Sequence, residues 1–108
     1  MNVEQLIKKI KEMAQEQAHE NGMHLKKGQL EQVVERVLEE LAPYDVGHER
    51  LGLSSEDELM TLEPKEVLRL YLKNNPTNEE IEELEEAIDP TIGNAIDFFM
   101  NDWYYECI

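Results

Sequence analysis

The stretch VEQLIKKIKEMAQEQA, residues 3–18, decides the fold class. Its apolar residues Val3, Leu6, Ile7, Ile10, Met13, Ala14 and Ala18 recur at steps of three and four, so a helix gathers them on one face, whereas a strand would scatter them over both. The spacing predicts a first helix over 2–20, stopped by Asn21-Gly22, a pair that tolerates left-handed backbone. Downstream, Leu30, Val33, Val34, Val37, Leu38 and Leu41 repeat the same period between Gly28 and Pro43 and predict a second helix over 29–42. Residues 23–27 between them read as a turn or a short extended piece.

Beyond the second helix the period lapses. Residues 43–53, PYDVGHERLGL, hold Pro43, Gly47 and Gly52 and read as a connecting loop. Ser54 and Ser55 each have an acid three residues on, Asp57 and Glu58, the capping-box arrangement that opens a short helix through Leu62. Pro64 suits the first turn of a further helix with Val67, Leu68, Tyr71 and Leu72 inward and Asn74-Asn75-Pro76 as its stop. Thr77 with Glu80 repeats the capping box ahead of a narrow stripe, Ile81, Leu84 and Ile88. Asp89-Pro90 is expected to start a separate last helix carrying Ile92, Ala95, Ile96, Phe99 and Trp103 on one side and Phe98 and Tyr105 on another. No stretch alternates with period two and no internal repeat is visible. The fold expected is therefore all-α, a compact bundle of five or six short helices with an aromatic-rich C-terminal helix, formed by residues 1–108 as one acidic domain.

Leu, Ile, Val and Phe make up 28 of 108 residues, enough for one modest core. Against 10 bases stand 25 acids, a formal charge of −15. Such a charge repels phosphate backbones and anionic membrane surfaces, so direct binding to nucleic acid or membrane is not expected. The lone Cys107 cannot form an internal disulfide, and Glu4, Gln5, Lys8 and Lys9 interrupt any signal-like apolar run, which points to the cytoplasm.

The negative charge is unevenly placed. Residues 1–27 carry five lysines and four glutamates, and the remainder carries a net −16. Within it, residues 77–89 hold Glu79, Glu80, Glu82, Glu83, Glu85, Glu86 and Asp89 with no base. On a helix, Glu79/Glu83 and Glu82/Glu86 stand about 6 Å apart along the axis, comparable to successive phosphates of one nucleic-acid strand. Like charges at these steps cost a few tenths of a kcal/mol per pair, which a cationic partner relieves. The plain alternative is a solvated face of good helix formers that keeps the chain in solution.

Five of the seven aromatic residues, Phe98, Phe99, Trp103, Tyr104 and Tyr105, fall within eight positions, either closing the core or forming an interface. Phe98, Trp103, Tyr104 and Tyr105 are the aromatic candidates for partner binding.

Catalytic, cofactor and metal signatures are not found. His19, His24, His48 and Cys107 lack zinc-ligand spacing, and Asp89-Pro-Thr-Ile-Gly-Asn lacks the ligand alternation of a calcium loop. No phosphate-binding glycine loop or nucleophile elbow occurs. The polar loop residues Tyr44, Asp45, His48, Glu49 and Arg50 are the strongest catalytic candidates, with an ordinary surface connector as the simpler reading. No enzyme activity and no cofactor are expected.

This profile resembles that of small phage-type inhibitors that mimic DNA to occupy basic clefts of restriction enzymes, CRISPR effectors, nucleoid proteins or polymerases. The resemblance is one of composition over the acidic two-thirds of the chain, and no motif carries a functional residue across. It implies a non-enzymatic inhibitor or regulator of a basic, nucleic-acid-binding target. The alternative is a small helical structural or adaptor protein that self-associates through its apolar helix faces, and a homodimer or higher closed oligomer is expected of the free chain.

Overall fold

The computed structural model describes residues 1–100 in full and residues 101–106 as helix backbone. Among the described residues five α-helices make up the fold: α1 (Val3–Glu20), α2 (Lys27–Leu41), α3 (Glu56–Met60), α4 (Pro64–Lys73) and α5 (Asn78–Glu106), with a 3-10 turn at Tyr44–Val46. Among the described residues there is no strand.

Local chemistry sets the ends of these elements. α1 opens on a capping box in which Asn2 Oδ1 accepts from the Gln5 N–H at 2.8 Å and Gln5 Oε1 accepts from the Asn2 N–H at 3.0 Å. It closes on Gly22 at φ +74°, where the Met23 N–H reaches the Ala18 carbonyl at 2.8 Å and the Gly22 N–H reaches that of His19 at 3.0 Å. α2 begins two residues before the position expected from Gly28. Gln29 Oε1 accepts from the Lys26 N–H at 2.9 Å, and Gly28 is absorbed into the first turn. α3 also differs in detail, because Glu58 reaches back to Ser54 (N–H 3.2 Å, Oγ 2.8 Å) while its own N–H is capped by Ser55. That helix ends at Met60, two residues short of Leu62. Pro64 sits in the first turn of α4, and Val67, Leu68, Tyr71 and Leu72 are its buried face, as the spacing predicts.

The main correction concerns Asp89-Pro90. The chain does not begin a new helix there, because α5 runs unbroken from Asn78 through the proline. Proline lacks the N–H that would bond the Glu86 carbonyl, and within a helix it costs about 3 kcal/mol relative to alanine. Tertiary burial overrides this: Leu84, Ile88, Ile92, Ala95 and Ile96 form one buried stripe across it. Each fully buried isoleucine contributes about 1.5–3 kcal/mol. From α1, Gln17 Nε2 donates to the Asp89 carbonyl at 3.1 Å and to Asp89 Oδ1 at 2.7 Å, tying down the residue before the proline.

Helices α1, α2 and α5 pack against one another, and α4 packs on α1 and α2. Their apolar faces merge into one core, completed by Leu25 and Leu51 from the connections and Leu59 from α3. The 29 residues of α5 would reach about 44 Å at the helical rise, which accounts for the long axis of a 49 × 28 × 18 Å body.

Candidate protein-binding surface

The first half of α5 carries the acidic run. Thr77 Oγ1 accepts from the Glu80 N–H at 3.1 Å and Glu80 Oε1 accepts from the Thr77 N–H at 2.9 Å, the expected capping box. Because Leu84 and Ile88 turn inward, the 100° step between residues places Glu79, Glu83 and Glu86 on the opposite side, with Glu82 on its flank. All four are exposed, as are Glu85 and Asp89 nearer the margins. Asp97 lies on the same outward line and is exposed too. In the sequence the acidic run ends at residue 89, because Asp89-Pro90 reads as a boundary; the 11-residue step from Glu86 to Asp97 is the signal that finds the further carboxylate.

Glu80 is different. Its carboxylate is half-buried and meets Arg50, with Nη2 at 3.0 Å from Oε1 and Nε at 3.3 Å from Oε2. The Arg50 side chain, backed by the Thr77 N–H and the Tyr71 hydroxyl, holds the Glu80 carboxyl well below the usual range, at about 2. So the run that has no base in its own sequence borrows one from the loop 30 residues earlier, and Glu80 belongs to the fold's interior bonding. The Tyr71 phenol is pushed up by burial and then by Glu80.

The other polar loop residues do not converge on one site. Tyr44 Oη donates to the Leu62 carbonyl at 2.8 Å, and His48 Nδ1 stands 2.9 Å from Glu56 Oε1, which also accepts from the His48 N–H at 3.2 Å. Hydrogen bonds from His48 lower the Glu56 carboxyl, and those from Ser54 lower that of Glu58. Asp45 and Glu49 are exposed.

A second acidic feature has no counterpart in the sequence pattern. A groove of about 420 Å³ between α2 and the start of α4 is lined by Glu35, Leu38, Glu39, Glu63, Pro64 and Lys65. The Tyr44 phenol is raised by burial and then by Glu39 and Glu63, so both carboxylates act on one place. Glu35 and Glu39 stand one turn apart on α2, but Glu63 comes from the residue that precedes α4, so no local pattern announces that the three meet.

Phe98 is 55% exposed. The Arg36 guanidinium lies 4.3 Å from its ring centroid, and Phe99 meets it edge to face at 5.1 Å. Phe99 packs against the core, so the two neighbours lie on different sides of α5 as the sequence predicts. Trp103, Tyr104, Tyr105 and Cys107 lie outside the residues whose side chains are described. Among the described residues no group of three or more His, Cys, Asp or Glu is disposed to hold a metal ion, and no helix is long and apolar enough to cross a membrane. The chain matches no protein-family model, no curated protein and no solved structure.

Proposed function

We propose that the chain is a non-enzymatic acidic binding module that offers α5 to a basic, nucleic-acid-binding protein as a surrogate for a phosphate backbone, and so inhibits or regulates it. The observation that carries this reading is the strip Glu79, Glu82, Glu83 and Glu86: four exposed carboxylates on one side of one helix, none with an ion pair among the described residues. Asp97 extends it, and the acidic groove between α2 and α4 adds to the negative field. A guanidinium or ammonium arriving at the strip removes like-charge repulsion that the free helix bears.

The test is capture on the immobilised chain from an extract of its source cells, at low and high salt and with duplex DNA as competitor. The reading predicts a basic nucleic-acid-binding protein that is released by salt and displaced by DNA. Partners retained through both challenges would sink it.

A second reading, self-association, is favoured by the exposed Phe98, whose ring is available beside Arg36. It calls for salt-indifferent assembly of the free chain, and solution mass decides it.

A further inference from the structure

The connection after α2 is held down in an unusual way. Gly47 and Gly52 adopt φ of +93° and +76°, backbone that side chains rarely permit, and between them Leu51 has no exposed surface. The neighbouring Arg50 spends its whole guanidinium on the α4–α5 junction. Its Nη1 donates to the Asn74 carbonyl at 3.0 Å, Nη2 reaches the Tyr71 carbonyl at 3.5 Å, and Nη2 and Nε grip Glu80. Its Cζ stands 4.4 Å above the centre of the Tyr71 ring. The junction answers through Asn74, whose Nδ2 donates to the Leu51 carbonyl at 3.0 Å and to the Leu70 carbonyl at 2.8 Å. Asn74 is also the C-cap of α4, and Glu80 is half of the box that starts α5.

We propose that residues 47–53 are a strap clasped by Arg50, that it opens together with the last turn of α4 and the first turn of α5 as one cooperative unit, and that ionic strength sets how often it opens. Among the described residues, every hydrogen bond crossing from the strap to the junction runs through Arg50 or Asn74, and each of these two also serves a helix end. If the clasp lets go, the Asn74 and Glu80 caps lose their alignment at once, and if either cap frays, Arg50 loses its acceptors. The Arg50 and Glu80 side chains retain 23% and 27% exposure, so mobile ions reach the pair and weaken it. Tyr71, by contrast, is buried and anchors the ring on which the guanidinium rests. The device is independent of what the acidic strip binds.

Native-state hydrogen exchange on the full chain, followed by NMR in low and high sodium chloride, tests it. Four amides report on it: Leu51 and Leu53, bonded to the His48 carbonyl at 3.1 and 2.9 Å, Asn74, bonded to that of Leu70 at 3.0 Å, and Ile81, bonded to that of Thr77 at 3.1 Å. All four quicken by a common factor as salt rises. In Arg50→Lys, which keeps the charge but cannot reach three acceptors at once, they quicken together by about tenfold. Glu4→Gln, which breaks the remote ion pair between Glu4 and Arg69, leaves them unchanged. Leu51 and Leu53 accelerating while Asn74 and Ile81 hold would overturn the cooperative unit, and four unmoved amides in Arg50→Lys would overturn the clasp. Arg50→Ala is the harsher variant; Glu80→Gln, which keeps the side chain's shape, replaces it should it fail to fold and is expected to give the same common acceleration.

Discussion

Ile88 and Ile92, one helical turn apart and each without exposed surface, bracket Pro90 and bury the stripe of α5 on either side of it. The proline's own position is exposed, so its ring contributes little packing while its missing N–H weakens the turn.

Pro90→Ala should therefore stabilise the protein, by about 1–3 kcal/mol, the gain expected when proline is removed from an exposed helix interior. Thermal or denaturant unfolding checks it. A neutral or destabilising result would mean that residues 89–90 act as a helix start and that the two halves of α5 are separate.

Arg50→Ala should lower the melting temperature by about 5 °C or more, since it strips charge-assisted bonds from two main-chain carbonyls and a carboxylate. Asp45→Ala and Glu49→Ala, exposed residues of the same loop, should each shift it by less than about 2 °C. Calorimetry on the three variants distinguishes a special role for Arg50 from a general sensitivity of the loop.

Acid should weaken the Arg50–Glu80 pair over a defined window. The folded carboxyl lies at about 2 against an ordinary 4.5, so the unfolded state binds the proton more readily at intermediate pH. The pair's contribution is then complete above the unfolded value and is lost as pH falls toward the folded one. The difference in melting temperature between the parent and Glu80→Gln should be largest above about pH 5 and shrink steadily below it. A difference that stays constant down to acid pH would show that the carboxylate's charge is not what Arg50 uses.

Replacing Glu79, Glu82, Glu83 and Glu86 with glutamine should leave the circular dichroism unchanged or slightly more helical, because repulsion is relieved while propensity is kept. Affinity for a basic partner captured at low salt should fall by about tenfold or more, the loss expected when several rim charges are removed together. Unchanged affinity removes α5 from the interface.

Light scattering on the free chain should give a mass near 12.6 kDa if the acidic strip is the working surface, since the net charge opposes self-association. A dimer that Phe98→Ala converts to monomer, at both low and high salt, would favour the second reading.

How much of this the sequence announces depends on how local each cause is. The buried faces of α1, α2 and α4 are readable because one period of 3.6 residues sorts Leu6 and Ile10, Val33 and Val37, Val67 and Leu68 toward the core. The Thr77–Glu80 cap is readable because both halves lie within four residues. Pro90 misleads because its local preference opposes a tertiary stripe assembled from Leu84 to Ile96, and burying that stripe outweighs the preference of one residue. Arg50 and Glu80 are invisible as a pair because nothing in either neighbourhood names a partner 30 residues away. The exposed strip follows from periodicity alone, whereas the bonding of Glu80, the acid of the same run that stands apart from it, follows only from Arg50.

Gln17 meets Asp89 across 72 positions, and α1 finds much of its packing on α5. For folding kinetics this is a late-closing topology. The first helix is made early, but its packing on α5 and the Gln17–Asp89 bonds cannot form until the chain has been synthesised past Asp89, and closing so long a loop is entropically slow. In that interval the greasy side of a nearly neutral helix is open to other chains. The heavily charged remainder, arriving afterwards, disfavours contact between neighbouring copies while the two ends of the fold find each other.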